Sequence, residues 1–245
     1  MLPLRDLNPS ERTPFITLFI IVIAVVTFFF VQTGDEHIYQ AASIPCEVTT
    51  GEPLSAAEIF QEAPCSEGDN PAFPDKNIWF SILASIFFHG SVGHLLSNLW
   101  VLFIFGNNIE DAFGHLPYLA FYLLAGLFAS GAHILLQPDS TLPVVGASGA
   151  IAGVMGAYLV LFPRARVTSI IPPFFFWPFA LPAMLFLGIW FFSQFLLVGA
   201  DTNIAWEAHV AGFVFGVVVA LMARRSLRRH STAVETRVPI GRMPR

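Results

Sequence analysis

The sequence predicts an all-α membrane protein, a bundle of six transmembrane helices, on three observations. First, its 245 residues are 55% hydrophobic and only 12% charged, with a mean hydropathy of +0.67. A soluble domain carries about 25% charged residues. Second, apolar runs recur along the chain, which argues for several spans rather than one large soluble core. Third, the basic residues segregate. With the amino terminus inside, every arginine falls on the inner side and only Lys76 falls outside. That bias follows the positive-inside rule, puts both termini in the cytoplasm and requires an even number of spans. No basic, aromatic-interleaved patch is present, so no nucleic-acid partner is expected.

The elements follow in order. Residues 1–13 read as a cytoplasmic tail carrying Arg5 and Arg12. Residues 14–31, Pro14 to Val31, form the first span. Its apolar core exceeds the roughly 7–15 residues of a secretory signal, and no small-x-small site follows in "VQTGDE", so a retained helix is expected. Residues 32–78 form an acidic outer loop with both cysteines, Cys46 and Cys65. Two cysteines in one exported loop predict a disulfide. Closing a loop of about 20 residues contributes roughly 3 kcal/mol. Within the loop, "SAAE" (Ser55 to Glu58) fits a capping box.

Residues 79–223 hold the other five spans, at about His94–Ile109, Leu116–Leu136, Ser148–Phe162, within Ser169–Val198, and Trp206–Met222. The fifth stretch is longer than one simple span. Pro172, Pro173, Pro178 and Pro182 cluster in its first half, which reads as an irregular or interfacial segment feeding the span. Residues 224–245 are an Arg-rich cytoplasmic tail, either a topology signal or a contact for anionic lipid.

Polar residues within spans are costly and mark function by default. Four stand out: His94, Asn98, Ser148 and His209. Each lies near the outer end of its span, so all four fall at one depth. Serine and histidine at one level can make a nucleophile–base pair, which needs donors for the developing oxyanion. His94 and Asn98 are one helical turn apart and share a face. A helix starting at Ser148 would offer free N–H groups at its positive end. Each residue also has a structural reading, since serine, asparagine and histidine can simply tie helices together. Gly149 and Gly153 form a small-xxx-small step, as do Gly212 and Gly216, allowing close packing of the Ser148 and His209 helices. Glu207 sits on the far side of its helix from His209, so a dyad is expected rather than a triad. "GASGA" is not a nucleophile elbow. The chain has no H-E-x-x-H, and its histidines lack ligand spacing, so no metal is expected.

These residues resemble the rhomboid family of intramembrane serine proteases, over roughly Phe87 to Met222. "HGSVGHLLSN" is similar to the family's entry to its second span, through His89, His94 and Asn98, and "GNNIEDAFG" to its close, through Glu110 and Gly114. "GASGAIAGVMGAY" matches the nucleophile motif at Gly146, Ser148 and Gly149. "LPAMLFLGIWFFSQ" looks like the fifth span, and "AHVAGFVFG" matches the histidine motif at His209, Gly212 and Gly216. The resemblance implies a six-helix rhomboid bundle. It implies Ser148 as nucleophile, His209 as general base, and an oxyanion hole from His94, Asn98 and the Ser148 backbone N–H. The implied reaction cuts a peptide bond in or beside a transmembrane segment of single-pass or polytopic membrane-protein substrates in the lipid bilayer. No cofactor and no metal are implied.

Two departures stand out. The first loop offers Trp79-Phe80 where many bacterial members carry Trp-Arg. Ala152 stands where some members place an aromatic against the histidine, so the sequence does not say what orients His209. The stretch "PPFFFWPFALP" reads equally as a flexible substrate entrance or as interfacial anchors. The oxidising outer side suggests a bacterial plasma membrane, with an organelle as the alternative, and the active site opening to the extracytoplasmic face. The rival reading is a non-catalytic rhomboid-like protein that binds or escorts membrane helices. A transporter would show paired charges in mid-span or inverted repeats, and the sequence shows neither.

Overall fold

In a computed structural model the described residues are 1–61, 63–66, 70–171, 175–198 and 204–235, with backbone alone at 175–176 and 225–235. Pro172, Pro173, Asp201 and the tail arginines Arg237, Arg242 and Arg245 lie outside the described residues, as do the side chains of Arg225, Arg228 and Arg229.

The architecture is mostly helical, as expected. Helix α1 (Phe15–Val26) runs on through a π-turn, Thr27–Val31. Short helices α2 (Asp35–Ala41), α3 (Pro45–Thr50) and α4 (Ala56–Phe60) build a lobe on the side expected to be outer, here called the outer lobe, and α5 (Ile78–Ala84) ends in a 3₁₀ turn, Ser85–Phe87. Helices α6 (Val92–Phe113), α7 (His115–Leu136), α8 (Ser148–Leu161), α9 (Ala183–Gln194) and α10 (Trp206–Glu235) complete the bundle. By length and composition α6, α7 and Trp206–Arg224 of α10 suffice to cross a membrane, while Phe15–Val31, Ile78–Phe87, Ser148–Leu161 and Ala183–Leu197 are shorter apolar helices. Each expected span coincides with one of these helices. Phe19, Phe103, Leu116, Leu135, Phe192 and Met222 are all more than half exposed on the outside of the bundle, an apolar surface suited to lipid.

Helix α8 is the centre. It is apolar on every side, as a helix enclosed by others must be, and Gly149 to Tyr158 are all buried among α6, α7, α9 and α10. Its 14 residues span about 21 Å at ~1.5 Å per residue, short of a hydrocarbon layer of about 30 Å. So short a helix cannot hold both of its ends at the membrane surfaces, and Ser148 is the end on the side expected to be outer.

Small residues set the closest helix pair. A Cβ on Gly212 would overlap the Gly149 carbonyl oxygen, and one on Gly216 would overlap that of Gly153. Gly149 and Gly153 in turn press on α7, where added Cβ atoms would come within 2.6 Å of Ala129 and Ala125. The four expected packing glycines thus form one α7–α8–α10 seam. Gly156, which the sequence reading passed over, extends it against the Phe213 carbonyl.

The first thirteen residues are more than the tail expected. Strand β1 (Leu2–Asp6) pairs antiparallel with β2 (Arg166–Ile171), which pairs antiparallel with β3 (Phe175–Pro182). Among its described residues the first half of the fifth stretch is therefore sheet, not an irregular feeder. The β-branched run "RVTSII" favours a strand, and β3 tolerates Pro178 and Pro182 because it is an edge strand. Asp6 fastens the sheet to the bundle, accepting hydrogen bonds from Tyr158 Oη at 2.8 Å and Asn108 Nδ2 at 2.7 Å. Trp100 Nε1 on α6 donates to the Pro3 carbonyl at 2.6 Å.

Helix α1 has no N-cap of its own. The fully buried Glu110 on α6 supplies it, accepting from Ile16 N and Thr17 N at 2.8 Å and from Thr17 Oγ1 at 2.7 Å. A carboxylate at the positive end of a helix is favourable.

The outer lobe has its own small core of Ile44, Cys46 and Leu54. The Cys46–Cys65 disulfide closes it across 19 residues, with the Cα atoms 5.8 Å apart. The Ser55–Glu58 capping box is present. Burial works against the Glu58 charge, but hydrogen bonds from Ser55 and Ser66 outweigh it and hold the carboxyl below its ordinary range. Lys76 Nζ lies 2.5 Å from Glu47 Oε2, both side chains buried, and donates to the Tyr39 carbonyl at 2.6 Å.

Candidate active site

Ser148 is the first residue of α8, and the chain reaches it through Gly146 at φ +123°. An L side chain rarely adopts that conformation, so glycine is needed there. Space also demands it: a Cβ on Gly146 would come within 2.8 Å of His94 Cε1 and Nε2. His94 thus packs directly on the peptide leading to Ser148. Ser91 Oγ caps α6 by accepting from His94 N at 3.1 Å, which fixes the turn that carries both His94 and Asn98. Asn98 is buried, and its Nδ2 has no hydrogen-bond partner among the described residues. It lies 3.7 Å from the same built Cβ position. The side chains of His94 and Asn98 therefore converge on the approach to Ser148.

The first intrahelical bond of α8 runs from Ile151 N to Ala147 O, at 2.9 Å. The N–H groups of Ser148, Gly149 and Ala150 precede it and have no acceptor inside the helix. The approach loop is held from behind. Gly146 N donates to the Ser85 carbonyl at 3.0 Å, Val144 N to the Ser43 carbonyl at 2.8 Å, and Cys46 N to the Ser140 carbonyl at 3.0 Å. The outer lobe thereby braces residues 140–146.

His209 stands one turn into α10, on the face that carries Gly212 and Gly216. Its Nε2 is 2.9 Å from Ser148 Oγ. A hydroxyl and an imidazole nitrogen at that distance can act as nucleophile and base. The seam glycines make this possible by letting the α8 and α10 backbones touch. On its other side, His209 Nδ1 is 2.8 Å from Gln194 Oε1 on α9, and the Trp190 ring lies 6.0 Å from the imidazole, tilted by 38°. Neither residue was singled out by sequence. Gln194 carried a signal all the same, as a polar side chain within a span. Glu207 pairs instead with Gln137 Nε2 at 3.0 Å and His133 Nδ1 at 3.4 Å, away from the Ser148 contact.

Comparison with known proteins bears on this arrangement. A family model described as Rhomboid domain matches residues 76–226. RHOMBOID-like protein 12, mitochondrial, of Arabidopsis thaliana is 30% identical over 167 residues, 61% of this chain and 46% of that protein. Presenilin-associated rhomboid-like protein, mitochondrial, of Bos taurus is 29% identical over 157 residues, 60% of this chain and 38% of that protein. Rhomboid protease GluP of Bacillus subtilis is 37% identical over 81 residues, 33% of this chain and 15% of that protein. The chain thus spans less than half the length of these relatives. The mitochondrial names of the first two run against the bacterial plasma membrane expected from the sequence, while the third relative is bacterial.

Proposed function

This chain belongs to the rhomboid family, and from that premise we propose that it is an intramembrane serine endopeptidase working through a Ser148–His209 dyad. The carrying observation is the 2.9 Å contact between Ser148 Oγ and His209 Nε2. In this reading Nε2 takes the hydroxyl proton as Oγ attacks the scissile carbonyl. The tetrahedral oxygen is held by the Ser148 N–H, Asn98 Nδ2 and His94, and the lack of any partner on Asn98 Nδ2 suits that task. The imidazolium then gives its proton to the leaving amine, and water, activated by the same histidine, releases the acyl group.

The substrates are transmembrane segments of membrane proteins. They unwind locally to reach a dyad that lies below the surface because α8 is short. The protein is read as a six-span integral membrane protein with its termini on the arginine-rich side and the site opening to the opposite face. A non-catalytic helix-binding role draws on the relatives named only as rhomboid-like, but the contact between Ser148 Oγ and His209 Nε2 beside an unpartnered Asn98 Nδ2 favours the catalytic reading. The test is cleavage of a reporter transmembrane substrate in proteoliposomes. Wild type cleaves, and Ser148→Ala and His209→Ala each fall by several orders of magnitude. Equal cleavage by all three ends the protease reading.

A further inference from the structure

We propose that Gln194 is the positioning residue of the dyad, selecting the His209 tautomer and so presenting a free Nε2 lone pair to Ser148. This rests on the protease reading above and supplies what the sequence left open, namely what orients His209.

The amide can point only one way. Gln194 Nε2 donates to the Trp190 carbonyl at 3.2 Å and reaches Ser193 Oγ at 3.3 Å. Flipping the amide would set its oxygen against the Trp190 carbonyl oxygen, acceptor against acceptor. Oε1 therefore faces His209 Nδ1 at 2.8 Å. An amide oxygen only accepts, so Nδ1 must carry the proton, and in neutral imidazole the other nitrogen is then the acceptor. That nitrogen is the one 2.9 Å from Ser148 Oγ, where a base is needed.

The arrangement is also locked. Gln194 is only 6% exposed. Ser193 Oγ donates to the same Trp190 carbonyl at 2.6 Å, which ties off the last turn of α9. Trp190 and Phe191 pack on Phe213 of α10, with ring centroids 5.9 and 4.8 Å apart. A neutral amide does the work of the usual carboxylate without placing another charge at this depth. Because Gln194 belongs to α9 while His209 belongs to α10, the tautomer is set only when α9 lies seated against α10.

The test uses the full chain in proteoliposomes. Gln194→Met keeps size and helix propensity but removes the acceptor, whereas Gln194→Glu in its neutral acid form keeps an acceptor toward Nδ1 and a donor toward the Trp190 carbonyl. Gln194→Met lowers kcat by about ten- to a hundredfold and leaves KM within about twofold, because the lost hydrogen bond acts on the dyad and not on substrate binding. Gln194→Glu restores most of kcat. In [15N]histidine-labelled protein, the His209 signal, assigned by its loss in His209→Ala, shows protonated Nδ1 in wild type and a tautomer mixture in Gln194→Met. Unchanged kcat in Gln194→Met, equal losses in the Met and Glu variants, or an unchanged tautomer each overturns the proposal. If wild type and Ser148→Ala alike fail to cleave, the protease reading falls, and the nitrogen shifts still decide the role of Gln194.

Discussion

Lys76 is the one basic residue expected outside, and the fold buries it against Glu47. Burial pushes the Lys76 ammonium down from its ordinary range, against the pull of the Glu47 charge. Breaking one side of such a pair costs more than removing both. Lys76→Met is therefore expected to destabilise the outer lobe by about 3–5 kcal/mol, and Lys76→Met with Glu47→Leu to recover most of it. Thermal unfolding of the purified lobe variants in the full chain measures this, and a double variant as unstable as the single one would contradict it. At this scale the sequence was informative where the order of the spans set depth. Span direction alone brings Ser148, His94, Asn98 and His209 to one level. It was silent on Gln194 for a physical reason. The fifth stretch turns helical only at Ala183, and without that starting point the helical phase of Gln194 relative to His209 is undefined.

Elements were legible in proportion to how local their causes are. Apolar runs placed six helices, and the Ser55–Glu58 box placed a seventh, because those signals lie within each segment. The sheet was not legible, because β1 pairs with a strand about 165 residues away and β3 reads equally as an aromatic interfacial run. The cap of α1 was hidden for the same reason, since Glu110 supplies it from α6. The α8–α10 seam yields a prediction at this scale. Gly216→Ile forces a side chain into the Gly153 backbone, whereas Gly188 on α9 has no neighbour within 4 Å of its Cβ position. Gly216→Ile should cost roughly 3 kcal/mol or more and abolish cleavage, while Gly188→Ile stays folded in the same detergent melting assay. Equal melting temperatures would show that the seam does not set the bundle.

Across the whole molecule, the outer lobe and the membrane bundle are joined through the loop before Ser148, which hydrogen-bonds Ser43, Cys46 and Ser85. Replacing Cys46 and Cys65 by serine removes a closure worth roughly 3 kcal/mol. The expected result is faster hydrogen exchange at the Val144 and Gly146 amides together with slower cleavage. Unchanged exchange at both amides would mean that the lobe is only an appendage. The sheet carries a consequence of a different kind, concerning the order of synthesis. Leu2–Asp6 are made before all five apolar helices that separate them from their partner Arg166–Ile171, which emerges only after those helices have left the exit tunnel. Throughout that interval β1 lacks its partner β2, and the first turn of α1 waits for Glu110. Strand β1 is thus made early yet is among the last elements to find its place, and a nascent chain stalled before residue 171 would still leave β1 unpaired and open to proteolysis.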